Sequence, residues 1–243
     1  DHPEIRAQVA RLVRKDAEPW ENAVAIHDFV RDEIEYGFGP RFYEHKASEV
    51  LSQGRGFCNS KSTLFVAMLR AAGIHARQRF VEIEPPILYG IVNPGTPWLD
   101  HSFTEVWLEG NWVAVDSYNV DPELNRGARI RLQRERKVQG YGVHSSGTIR
   151  WDGKTNSFSQ FVSGLEQPSF SSRDMGIHED VFQFYESGSY GWNPMEPGMR
   201  TFFPIAAVIM NRKLDRVRKT GLGIFERREL MSSAGFRRFR SKP

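Results

Sequence analysis

The sequence predicts an α+β fold in which a helix that starts at the chain's single cysteine packs on an antiparallel sheet. Three observations predict it. Apolar residues recur at helical spacing through the first third of the chain, and two alternating runs flank a Glu-Gly-Asn turn at 109–111. A 40% hydrophobic fraction with six Trp in 243 residues is that of a globular core. This length suits one large domain, or one domain with an elaborated extension.

The elements follow in order. Ile5, Val9, Leu12 and Val13 share one face of a short helix over 3–15, with Pro3 in its first turn. A second helix follows Pro19, with Ala23, Ile26, His27, Val30 and Ile34 on one side, and ends near Gly37 and Pro40. From Asn59 to Ala72, Leu64, Phe65, Met68, Leu69 and Ala72 stack on one side, and Gly73 stands where helices terminate. Ile74–Ile83 reads as a strand and 84–98, rich in Pro and Gly, as a loop. The runs HSFTEVWL (101–108) and WVAVDSY (112–118) read as an antiparallel hairpin. Residues 119–200 show weak periodicity and read mostly as loop with short strand-like pieces such as GTIRWDG. A last helix is expected from Pro204 to Lys219.

Charge is unevenly placed. The net +3 hides eleven Lys/Arg against three Asp/Glu in residues 211–243, a local balance of +8, which leaves −5 for the remainder. Such a basic end suits an acidic partner, although a solvated helix face is the plainer reading. No base-reading motif accompanies it, so nucleic acid is not the expected partner. No apolar run approaches the ~20 residues of a membrane span, and TFFPIAAVIM (201–210) is short and interrupted by Pro204. The sequence begins at Asp1 rather than Met, as after removal of an upstream segment, and the unpaired cysteine favours a reducing, cytoplasmic compartment.

Cys58 cannot form an internal disulfide or a thiolate cluster. At the start of a helix, free N–H groups and the macrodipole favour its thiolate, so a lowered pKa is expected. A thiol nucleophile needs a base and a group to orient that base. His101 opens the first hairpin strand and Asp116 lies in the second. With Glu109-Gly110 as the turn, partners sum to 219, and His101, Phe103, Asp116 and Tyr118 share a face with His101 and Asp116 as diagonal neighbours. A Gly110-Asn111 turn would double the offset and require a bulge. Asp100 and Asp121 are rivals to Asp116. Asn59 or Cys58 backbone N–H groups and the Gln53 amide are candidate oxyanion donors, and Tyr118 is a candidate substrate contact. Tyr89, Trp98, Phe103 and Trp107 line either an acyl pocket or the core. His178, Glu179 and Asp180 are adjacent but lack converging ligands, so no metal and no cofactor is expected.

GRGFC, LRAAGIHAR and HSFTEVWLEGNWVAVD together resemble the transglutaminase-like cysteine superfamily, over roughly residues 20–120. The resemblance implies a papain-like triad of Cys58, His101 and Asp116. It implies a catalytic core over 1–120, with 121–243 as an extension packed on the same domain. Asn59 stands where the animal crosslinking enzymes carry Trp, and no calcium-site signature accompanies it, so the compact microbial branch is the nearer likeness. The implied chemistry is acyl transfer through a Cys58 thioester, on a small-molecule or peptide amide, ester or thioester. The alternative is a catalytically inactive binding protein that kept the fold.

Overall fold

In the computed structural model, residues 2–161, 172–189, 191 and 197–238 are described, the side chains of 172, 197–200 and 222–238 excepted. Helices α1 (Pro3–Leu12), α2 (Pro19–Glu33) and α3 (Ala47–Gln53) precede the central helix α4 (Cys58–Ala71). Two short strands, β1 (Glu35–Tyr36) and β2 (Arg55–Gly56), pair in parallel and bring the chain to the start of α4. Strands β3 (Ala76–Ile83), β4 (Leu99–Leu108) and β5 (Asn111–Val115) join β8 (Ser172–His178) in one antiparallel sheet of order β5-β4-β3-β8. Between β5 and β8 lie helix α5 (Pro122–Glu135) and a small hairpin, β6 (Gln139–Gly140) and β7 (Val143–His144). Helices α6 (Val181–Glu186) and α7 (Pro197–Arg238) follow β8.

One apolar layer forms where α4 lies on the sheet: Leu64, Phe65, Met68 and Leu69 pack against Val106, Leu108, Val113 and Val115, with α1 and α2 closing the outer side. This burial of branched and aromatic side chains is the main stabilising force on α4, whose sequence supplies an apolar stripe at 3.6-residue spacing. Lys61, buried in the same helix, donates to the carbonyl of Ile34, and burial lowers its pKa to about 7.

A second layer lies beyond Cys58. Tyr36, Phe38 and Phe57 pack there with Leu124, Ala128 and Leu132 of α5 and with Phe203, Met210, Leu214 and Val217 of α7. Polar clamps fix it: Asn211 bonds both the N–H and the C=O of Phe38, and Arg218 bonds the Tyr36 carbonyl and the Asp121 carboxylate.

The hairpin adopts the register that places Glu109-Gly110 in the turn, with Leu108 opposite Asn111 and Thr104 opposite Val115. Both turn residues have positive φ, 49° and 84°, which matches the right-handed twist of the flanking strands. Pairing stops at Val115, where the chain turns toward Ser157, and residues 116–119 no longer follow strand alternation. Tyr118 therefore leaves the predicted face. Its hydroxyl bonds Ser62 and Thr104 inside the α4–sheet layer, and its side chain is wholly buried there.

The stretch expected to be loop contains more regular structure than its pattern suggested. Residues Pro122–Glu135 form a helix whose N-cap, Asp121, accepts from the N–H of Leu124. Ser172–His178 completes the main sheet, whereas 147–153 (GTIRWDG) is irregular. The last helix starts at Pro197 and carries Pro204 inside it, at the loss of one backbone bond. Among the described residues, no helix is long and apolar enough to cross a membrane.

Candidate active site

Cys58 is the first residue of α4. Phe57 caps the helix in an extended conformation, with its N–H donated to Ser60 Oγ at 3.0 Å. The thiol faces a cavity of about 520 Å³ that His101, Asp100 and Gln160 also line. His101 comes from β4 and is almost wholly buried. Its Nε2 donates to Asp116 Oδ2 at 3.1 Å, which makes Nδ1 the acceptor nitrogen of that tautomer.

Asp116 is fully buried and held by backbone from a distant segment. Oδ1 accepts from the N–H groups of Ser159 and Gln160 and from Ser159 Oγ, and Oδ2 accepts from the N–H of Phe161 at 2.6 Å besides His101. Five donors fix the carboxylate, which in turn fixes the imidazole. Nothing in the sequence pointed to residues 159–161, because backbone N–H groups leave no mark in it.

The rival carboxylates have other partners. Asp121 caps α5 and pairs with Arg218 at 2.7 Å. Asp100 lies inside the site, largely buried, and accepts from Asn59 Nδ2 and the Tyr185 hydroxyl. Burial holds the Asp100 carboxyl above its usual range despite these donors.

Burial also pushes the Cys58 thiol up, with Asp100 and Asp116 adding to the rise and the N–H groups of Ser102 and Asn59 opposing it. The expected lowering by the helix N-terminus is therefore outweighed. Desolvation and two carboxylates exceed the effect of one helix end.

Other candidates lie elsewhere. The Gln53 amide is 3.4 Å from His45 Nδ1, and Gln53 lines a separate hollow with Gly39 and Asn211. Asn59 presents its backbone N–H to the sulfur while its side chain is tied to Asp100 and Tyr185. Gln160 lines the cavity, and one N–H of its amide is donated to the Gly142 carbonyl. Tyr89 stands edge-on to Tyr141, Trp98 lies under Arg173, Phe103 stacks on Phe161, and Trp107 meets Trp112 on the surface. The aromatic wall of the cavity is instead Tyr36, Phe38, Phe42, Tyr43, Phe57, Phe202 and Phe203. His178 bonds the Met175 carbonyl, Glu179 pairs with Arg70 and Asp180 caps α6, so these three serve the fold separately. No cluster of metal-ligating side chains occurs among the described residues. Much of the basic 211–243 segment lies outside the described side chains.

Residues 6–117 match the profile of the transglutaminase-like superfamily. The matched stretch carries α4, β3, β4, β5 and all three residues of the Cys58, His101 and Asp116 set. Two solved structures show likeness over more of the chain. One, from Cytophaga hutchinsonii and named a "Putative Cysteine Protease", is 16% identical with a TM-score of 0.39, over 72% of this chain and 49% of that one. The other, from Parabacteroides distasonis and named a "Putative Protease", is 19% identical with a TM-score of 0.36, over 51% and 24%. The chain thus spans about half the length of the first and a quarter of the second. No curated protein matches the sequence.

Proposed function

We propose that this transglutaminase-like chain is a thiol-dependent acyltransferase or hydrolase working through a Cys58 thioester. The observation that carries the proposal is the oriented imidazole: His101 is bound to a five-donor Asp116 and lines the same cavity as the thiol. His101 accepts the thiol proton as Sγ attacks a carbonyl carbon, and returns it to the leaving group as the tetrahedral intermediate collapses. Asp116 fixes the tautomer with Nε2–H toward itself and stabilises the imidazolium. The first N–H groups of α4, unpaired within the helix, stabilise the oxyanion. Water or a second nucleophile then releases the acyl group.

Intact mass spectrometry after exposure to amide, ester and thioester donors tests this. The native chain gains one acyl mass and Cys58→Ala gains none. An unmodified native chain across all three donor classes would sink the enzymatic reading.

A further inference from the structure

The cavity in front of Cys58 is more apolar than thiol chemistry requires. Apart from the thiol, most polar side chains at its wall have a partner: Asp100 with Asn59 and Tyr185, His101 Nε2 with Asp116, Gln160 Nε2 with Gly142, Lys213 with the Ile91 carbonyl and Thr96 with the Trp98 carbonyl, whereas Gln160 Oε1 has none. A peptide lying here would strip water from an amide at every residue and meet few free partners in exchange. Hydrocarbon incurs no such cost. The wall it would touch is built from Phe38, Phe42, Ile83, Ile87, Ile91 and Met210, which gather from three separate stretches of the chain.

The apolar wall also continues outward. Val92, Phe202 and Ile209 belong to the cavity lining and are 36%, 58% and 51% exposed, so apolar surface runs from the thiol to solvent. Solvated side chains of this size gathered at one opening are unusual for a surface with no ligand to meet. The volume, about 520 Å³, falls among small-molecule sites of roughly 300–1,000 Å³.

We propose that the acyl group delivered to Cys58 is a long hydrocarbon chain, of the fatty-acyl class, lying along this wall with its carbonyl at the sulfur. This rests on Cys58 as the nucleophile. The Sγ–C bond forms as the thiol proton passes to His101. The bond from carbonyl carbon to leaving group breaks as that proton passes to the leaving atom. The chain remains as a thioester until water, an amine or a hydroxyl adds its oxygen or nitrogen to the carbonyl and gives its proton to His101, after which the carbonyl carbon–Sγ bond breaks and that proton passes to sulfur.

Two measurements test the proposal. The first follows acylation of the native chain by N-acetylcysteamine thioesters with two-, eight- and twelve-carbon acyl groups. Each buried methylene is worth roughly a factor of three to four. The eight-carbon donor is therefore expected to react at least about tenfold faster than the two-carbon donor, and Ala206→Trp, which fills the cavity, brings the three rates within about threefold of one another. Equal rates in the native chain, or a preference for the shortest donor, would overturn the chain site while leaving Cys58 as nucleophile. The second uses Cys58→Ala and a dansylated undecanoic acid, whose fluorescence is expected to rise on binding and to fall with dodecanoic acid but not with a polar hexapeptide. This arm needs no chemistry. Binding here with no acylation by any donor would support the chain site and sink the catalytic reading, and absence of binding would overturn the site.

Discussion

Asp116 concentrates the design of the site in one residue, since its carboxylate both orients His101 and absorbs three backbone N–H groups from 159–161. Replacing it separates two losses. Asp116→Asn turns an amide N–H toward donors, so activity is expected to fall about 10²–10⁴-fold and stability by about 1–3 kcal/mol from the donors left unsatisfied. Cys58→Ala should abolish turnover with a much smaller change in a urea titration. Equal destabilisation by the two substitutions would show that Asp116 is not the hub described. The thiol itself gives a pH prediction. Because burial and two carboxylates raise its pKa, the neutral form persists through neutral pH, and alkylation of the free chain by iodoacetamide should keep climbing past ~9.5, where ordinary thiols of pKa ~8.5 level off. A plateau at or below neutrality would mean that the helix terminus wins after all.

At the scale of elements, α5 is held by ends rather than by composition. Its N-cap Asp121 is nearly buried and bonds Arg218 of α7 through both carboxylate oxygens, as well as the N–H groups of Tyr36 and Leu124. The Arg218 contact, its strongest partner, holds the Asp121 carboxyl below its usual range against the opposing effect of burial. A depressed carboxylate contributes stability above its unfolded pKa, near ~3.9, and loses it as pH falls through the lower folded value. Arg218→Met strands that charge, so a loss of about 3–5 kcal/mol at neutral pH is expected in chemical denaturation, with the variant's acid unfolding shifted upward. An unchanged midpoint would remove the pair from the list of what fixes α7. The same helix shows why some of the fold was legible and some was not. The register of β4 and β5 is one of the two that a Glu109-Gly110-Asn111 turn left open, while α4 followed from its stripe and terminal glycine. In α5, Leu124, Ala128 and Leu132 form only a narrow stripe among four arginines, interrupted by Gly127, so the helical period is weak. Tyr118 was misplaced because alternation was extended three residues past the point where Ser157 draws the chain out of the sheet.

For the molecule as a whole, the question is what the half of the chain beyond the hairpin contributes to the candidate site, whose Cys58, His101 and Asp116 all precede it. The answer lies in the second apolar layer, where α7 supplies Phe202, Phe203, Ala206, Ile209 and Met210 to the cavity and rests on α5 at Gly127. A methyl group at Gly127 would stand 1.9 Å from the carbonyl oxygen and 2.8 Å from the carbonyl carbon of Val217. Both atoms are backbone, so no rotamer change relieves the clash. Helix α7 must shift, and its continuity from Val217 back to Met210 and Phe203 carries the shift to the cavity wall. The sign of the outcome is diagnostic. In a solvated helix Gly→Ala stabilises, by up to about 1 kcal/mol. Against a fixed backbone it costs about 1–3 kcal/mol. Gly127→Ala is therefore expected to lower the unfolding midpoint and to raise KM for the acyl donor more than it lowers kcat, since the His101–Asp116 pair and the start of α4 are built from other elements. A more stable Gly127→Ala protein with unchanged KM would show that α7 does not rest on α5, and that the roof of the site lies elsewhere.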